Sequence, residues 1–410
     1  MGIPFAETRD RIIKMTSKTC VVKRKQIIPA ESGLTVKSGI SRGFSDIDIF
    51  FHLFLLYAMF VLFVLPTDTN IRHAVVALPI FGGFLAVILL RRKLLVIDIL
   101  LVLILLIAAF VVGRYETISN AFTLSILLLF FSAVRIDKQH KVRTNQRVLQ
   151  LFCGVAFLSL TYQLIKNMGA PGYWEYTSTL YVGDTNFSGF YMLLFFFLSQ
   201  RSNFWPGMAL GLASVLIFLS RAYFLSMATF LLLSVLKDRL KLFWKHLNFG
   251  ILVLTLNIVL LAYGAYIVNQ VGISDYGVRG VERLVSFSDR SALVRLEYNY
   301  LLFQSMLKDP VFALFGKGQE FDIFSAQFLG KVPHNTFMQM IGEHGLLFTL
   351  SYLLVLSAVF RKLNWRENAP YLIAVIMYGL FLHGTLEKAF LILIILTLEI
   401  QTRKQIRISR

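Results

Sequence analysis

The sequence predicts an all-α polytopic integral membrane protein, about twelve transmembrane helices with a long helical periplasmic loop. Three observations predict it. Of 410 residues, 57% are hydrophobic and 16% charged, where soluble domains carry roughly 45–50% and about 25%. The apolar residues fall in long runs separated by short polar links, as a membrane span of about 20 residues requires. The basic surplus, a formal +18, is concentrated in alternate links, the pattern of cytoplasmic loops. A soluble enzyme, a disordered chain and a fibrous protein are excluded, and no nucleic-acid partner is expected. Cys20 and Cys153 make no disulfide framework.

Twelve candidate spans follow in order: 47–66, 73–90, 94–113, 117–134, 148–165, 187–200, 204–220, 222–236, 247–268, 336–360, 370–388 and 389–402. Residues 1–46 form a basic cytoplasmic tail, disordered or lying on the anionic inner leaflet. The first apolar run starts too late for a cleaved signal peptide and reads as a retained anchor. With the N-terminus cytoplasmic, 29 of the 41 Lys and Arg fall on the cytoplasmic side. Residues 403–410, also basic, then lie on that side as well. An odd number of spans would break this alternation. Spans one to nine occupy 47–268, a large periplasmic loop runs over 269–333, and spans ten to twelve lie within 336–402. A shorter outer loop, 166–186, carries Gly169, Pro171, Gly172 and aromatic residues. Long loops in a compact membrane domain are commonly functional.

Lys and Arg are sparse on the outer side, so those present are informative. The long loop holds Arg279, Arg283, Arg290, Arg295, Lys308, Lys317 and Lys331. Arg221 stands at the outer junction of spans seven and eight. An arginine at that depth snorkels to headgroups or meets an anion in a wet cavity, and its planar fork suits phosphate and carboxylate. From Ser288 or Asp289 to Pro310 the spacing of Leu293, Leu296, Tyr300, Phe303 and Leu307 predicts one amphipathic helix, stopped by the proline. A tight Gly316-Lys317-Gly318 turn follows. It is not a phosphate fingerprint, because no strand precedes it.

Pro333-His334-Asn335 then opens span ten, with Asn335 as its N-cap. This puts His334 at the outer mouth of a span, facing water, where a neutral imidazole can accept a hydroxyl proton. Glu343 and His344, farther down the span, read as interior hydrogen-bond partners. Asp46/Asp48 and Glu320/Asp322 have acidic spacing, but no histidine cluster accompanies them. No metal and no cofactor are expected, and no nucleophile elbow or Cys–His pair is present. One base and several arginines suit transfer of a group away from a phosphate leaving group.

Arg295, Pro310, Gly316-Lys317-Gly318, Pro333-His334-Asn335 and Glu343-His344-Gly345, in that order, resemble the O-antigen polymerase and O-antigen ligase family. Ser220-Arg221 is similar to its upstream Ser-Arg. Gly183-Asp184-Thr185-Asn186 is similar to its acidic-x-Asn element, with threonine where proline is common. The resemblance covers roughly 183–350. It implies a helical membrane bundle and a metal-independent, inverting glycosyl transfer at the outer face of the inner membrane. The donor implied is a glycan on undecaprenyl diphosphate; the acceptor is another glycan or lipid A core. Carried over, His334 would be the base, and Arg221 and Arg295 would bind the diphosphate with help from Arg290. Asn186 and Asp184 would line the cavity, and Asn335 would join them in binding substrate. A chain-length regulator is a further partner, besides the membrane lipids.

Phe348, where ligases often carry a small residue or tyrosine, and the Asp-Thr-Asn element favour a polymerase over a ligase. A flippase or exporter of lipid-linked sugars would bury charges along a path through the bilayer. Here the candidate charges gather at one outer face. A membrane scaffold would explain neither Arg221 nor the long loop.

Overall fold

The computed structural model describes residues 94–135, 146–167, 185–240, 248–266, 290–318, 320–325, 334–362 and 365–382, with positions 82, 85, 88, 89, 327 and 394. All lie in the compact unit Phe44–Arg410; the separate unit Met1–Gly43 is outside the described residues. Also outside are span one, most of spans two and twelve, most of the loop 166–186, residues 267–289, and the acidic pair Asp46/Asp48.

The described residues are helical, with no strand among them. The helices are α1 (Val96–Val112), α2 (Tyr115–Arg135), α3 (Gln146–Asn167), α4 (Thr185–Ser202), α5 (Trp205–Phe218) and α6 (Arg221–Leu236). They continue as α7 (Phe249–Tyr266), α8 (Arg290–Lys308), α9 (Pro310–Phe315), α10 (Glu320–Phe324), α11 (Thr336–Lys362) and α12 (Trp365–Gly379). Among the described residues, three apolar segments are long enough to cross a membrane: Arg147–Lys166, Phe249–Tyr266 and Thr336–Lys362.

Local chemistry sets the ends. α1 stops at Gly113, whose φ of 72° places it in the left-handed region and whose N–H donates to Ala109. α5 stops at Leu219, also left-handed, and Ser220 caps α6. Pro310 ends α8 as expected, but it also begins α9 as its first residue, with Asp309 Oδ1 accepting from Phe312 N–H at 3.0 Å. The predicted span at 370–388 starts earlier, at Trp365, and contains Pro370.

α11 is the hub. It packs against α1, α2, α7, α8, α9, α10 and α12. A second group joins α4 to α5 and α6, with α3 on α5, and α12 touches both α6 and α11. Small residues let α4 and α5 approach: a Cβ at Gly211 would lie 2.8 Å from Phe196 Cβ. Phe190, Phe197, Phe218, Tyr223, Phe348, Phe360 and Tyr378 are fully buried in this core. The outside is apolar too. α1 turns Asp98, Val102 and Leu105 inward and leaves Ile97, Leu100, Ile104 and Ile107 exposed. Such a stripe is stable against lipid rather than water.

α1 and α11 are clamped at one end by a buried ion pair, Lys362 Nζ to Asp98 Oδ2 at 2.6 Å. There Ser132, near the end of α2, also accepts from Leu95 N–H at 3.1 Å. At the other end α11 is not one straight helix. Gly345 has φ 82° and ψ 164°, which splits α11 into two segments. Only glycine holds that conformation without strain.

The freed carbonyls are met from outside the helix. Lys317 N–H donates to Gly342 C=O at 2.7 Å and Gly318 N–H to Glu343 C=O at 2.8 Å. Arg114, between α1 and α2, donates to Glu343 C=O at 2.7 Å and to Gly316 C=O at 2.9 Å. Lys317 Nζ sits over the rings of Phe312 and Phe324, at 5.0 and 4.6 Å.

Gly345→Ala forces a Cβ against the Leu314 and Phe315 carbonyl carbons, each 2.6 Å away. The expected cost is about 3 kcal/mol, from backbone strain and overlap together. Thermal unfolding in detergent should show a drop of several degrees, while Gly154→Ala, with open space around it, leaves the midpoint nearly unchanged.

Candidate functional site

Three helix beginnings meet the C-terminal end of α12. Asn186 lies in the first turn of α4. Ser220 Oγ donates to Asn186 Oδ1 at 2.9 Å while accepting from Tyr223 N–H at 3.4 Å. Tyr378, near the end of α12, donates through its hydroxyl to the Asn186 carbonyl at 2.6 Å. Gly189 lies under that hydroxyl, where a Cβ would come within 2.6 Å of it. Arg221 follows Ser220 as the first residue of α6 and is 8% exposed. A buried cation at the positive end of a helix dipole is costly, so its place in the fold needs acceptors nearby.

The third beginning is that of α11. Asn335 is buried and caps the helix: its Oδ1 accepts from Phe337 N–H at 2.9 Å and Met338 N–H at 3.1 Å. Its Nδ2 donates to Asn257 Oδ1 at 3.0 Å, and Asn257 in turn donates to Val253 C=O at 2.9 Å. Thr336 Oγ1 donates to Leu382 C=O at 2.6 Å. Leu382 is four residues beyond Tyr378, in the turn that follows α12. Asn186, Ser220, Arg221, His334, Asn335 and Thr336 are therefore gathered around residues 378–382 by direct bonds or chain adjacency. Asn257 is the ninth residue of α7's 18. α11 thus opens level with the middle of α7, and His334 is half-buried there rather than at the mouth of a straight span.

One helical segment farther along, His344 is buried. Its Nδ1 lies 2.9 Å from Thr117 Oγ1 and its Nε2 3.3 Å from Asn120 Nδ2. Glu343 Oε2 is 3.6 Å from Nε2, and Glu343 Oε1 accepts from Gln339. His344 is thus an interior partner of α2, as the sequence suggests, while the Glu343 carboxylate meets Gln339 and His344 on α11 itself.

The remaining sequence candidates fall differently. Arg295 is half-buried on α8, next to Leu296, whose carbonyl would lie 2.8 Å from a Cβ at Gly264 of α7. It is placed by the packing of α8 on α7 and α11. Arg290 is the first residue of α8. Asp184 lies outside the described residues. No group of three or more His, Cys, Asp or Glu positioned for a metal occurs among the described residues.

Sequence reasoning overlooked Tyr378, Asn257 and Arg114. Asn257 did carry a signal, as the lone amide in an apolar run. Arg114 was visible as one of few outer cations. Tyr378 gave none, because an aromatic residue in an apolar span is ordinary.

The arrangement offers a buried guanidinium, helix beginnings with their positive dipole ends, a carboxamide and an imidazole. Such a set can bind an oxyanion and hold a proton acceptor near it. Asn335→Ala removes two cap bonds and the bond to Asn257. It should cost about 1–2 kcal/mol, read as a lower unfolding midpoint, and Asn335→Ser should recover part of the loss by restoring the cap.

No family model, curated protein or solved structure matches this chain.

Proposed function

We propose that this chain is a glycosyltransferase of the bacterial inner membrane, a surface-polysaccharide polymerase. In this reading it has about twelve spans, both termini in the cytoplasm and its site at the periplasmic face. The donor is a saccharide on undecaprenyl diphosphate, and the acceptor is a hydroxyl of another lipid-linked repeat unit. The observation that carries the reading is that Ser220, next to Arg221, bonds Asn186, that Asn186 bonds Tyr378 of α12, and that Thr336, two residues after His334, bonds Leu382 just past the end of α12. A diphosphate leaving group needs fixed cationic donors, and the acceptor hydroxyl needs a base within reach.

The step balances without a metal. The acceptor oxygen attacks the anomeric carbon from the face opposite the diphosphate. A new C–O bond forms as the bond to the diphosphate oxygen breaks, and the configuration inverts. His334 takes the hydroxyl proton. Undecaprenyl diphosphate departs with both bond electrons, stabilised by Arg221 and, from the long loop, by Arg295 and Arg290. Asn186 and Asn335 position the saccharide, and Asp184 joins them from the outer loop.

His334→Ala should lower transfer by at least about 100-fold with the amount of membrane protein unchanged. Normal glycan ladders from that variant would refute the base assignment. Arg221→Lys and Arg295→Lys should fail as well, because a point charge does not replace a two-pronged fork. Lipid-linked and surface glycans from a strain lacking the gene separate the activities. Single repeats on the core with no long ladders mark a polymerase. Full-length chains held on undecaprenyl diphosphate over a bare core mark a ligase instead. Repeats trapped on the cytoplasmic side would make the chain an exporter.

A further inference from the structure

The far end of α4 carries another arginine. Arg201 lies in its last turn, fifteen residues from Asn186 and so about 22 Å along the helix. It is at the opposite end from the site described above. The chain turns sharply into α5 there, with Phe204 N–H donating to Ser199 C=O at 2.8 Å.

The Arg201 guanidinium lies over the ring of Tyr371, 4.4 Å from its centroid. That ring is itself fixed. Its hydroxyl donates to Gln200 Oε1. Its faces and edges pack against Phe197 at 5.1 Å and Phe230 at 4.9 Å. Residues from α4, α6 and α12 thus form an aromatic platform that sets the plane of the guanidinium.

On this platform Nε and Nη2 of Arg201 are buried and donate to no acceptor among the described residues. These two N–H groups share one edge of the fork, the edge that grips two oxygens of an anion side by side. Stacking on Tyr371 serves the face of the cation but not this edge. A buried, unmet pair of cationic donors is among the least favourable arrangements in a fold, and it is relieved by an acceptor from outside the chain. Ser199 Oγ, in the same turn, is also buried without a partner among the described residues. The charged residues just beyond α6 are Lys237, Asp238 and Arg239, so this end is net basic. Beside it α6 exposes Leu231, Leu232 and Val235, a surface on which acyl chains can lie.

We propose that Arg201, held on Tyr371, forms an oxyanion site for a phosphate group, either the phosphodiester of an anionic lipid headgroup or free phosphate. The site is distinct from the glycan site and does not depend on the function proposed above. The fork takes two phosphate oxygens, and the apolar face of α6 receives the lipid tails.

The test uses the full-length protein in maltoside detergent, by thermal unfolding and native mass spectrometry. Phosphatidylglycerol, phosphatidylcholine and inorganic phosphate are added separately. Phosphatidylglycerol should raise the midpoint by several degrees, more than phosphatidylcholine, and survive as a bound adduct. Arg201→Gln should remove that increment, and Arg201→Lys should keep less than half of it. Lys237→Gln, which leaves the fork intact, should keep most of it. An equal rise with inorganic phosphate identifies free phosphate as the ligand; a rise with lipid alone identifies the headgroup. The site is overturned if Arg201→Gln and the parent protein respond equally, if Lys237→Gln loses as much as Arg201→Gln, or if none of the three additives binds the parent protein.

Discussion

The break in α11 at Gly345 is the constraint on which the rest of the fold depends. A helix interrupted in an apolar interior exposes carbonyls that no water can reach, and each would cost several kcal/mol unmet. Here they are met by Lys317 and Gly318 N–H groups and by the Arg114 guanidinium. That requirement explains why the Gly316-Lys317-Gly318 turn lies against α11, why α9 and α10 fill the space beside it, and why α1 and α2 are joined by an arginine. Phe312, Phe321 and Met338 then form a separate small core around the junction. The interaction is mutual, because neither the turn nor the break is satisfied alone.

The break also decides where chemistry can occur. It lets the first segment of α11 begin level with the middle of α7, where Asn335 finds Asn257. Broken helices in membrane proteins place their ends and their dipoles inside the bundle in this way. The beginnings of α4, α6 and α11 converge at Tyr378 and Leu382, so α12 and the turn that follows it organise the cluster. The same helix holds Tyr371 under Arg201 at its other end. α12 therefore fixes two guanidinium-bearing regions at once, one at each end of α4, through two tyrosines seven residues apart.

Much of this could be read from local chemistry. Asn335 caps α11, Pro310 terminates α8, and the apolar runs between 94 and 379 are helical where they are described. Pro310 was read only as a stop, although its fixed φ equally favours the first turn of a new helix. The segment 336–360 was read as one continuous span, because its hydrophobicity carries on through Gly345. A glycine in an apolar run does not announce a positive φ; the partner that demands it, the 314–318 segment, lies elsewhere in the chain.

The sequence by itself determined the helical class, the helices apolar enough to cross a membrane, most helix ends and the residue types able to bind an oxyanion. Those properties depend on composition and on interactions within one helical turn. Only the tertiary structure decided which helices touch, how deep the head of α11 lies, and which polar groups meet. Lipid tails are as apolar as the helix faces, so helix pairing in such a medium rests on close packing and a few polar contacts. The contacts that decide it join residues far apart in the chain: Asn335 with Asn257, 78 positions away, and Arg114 with Glu343, 229 positions away. No period or spacing along the chain encodes those pairs, and they exist only once the bundle has closed.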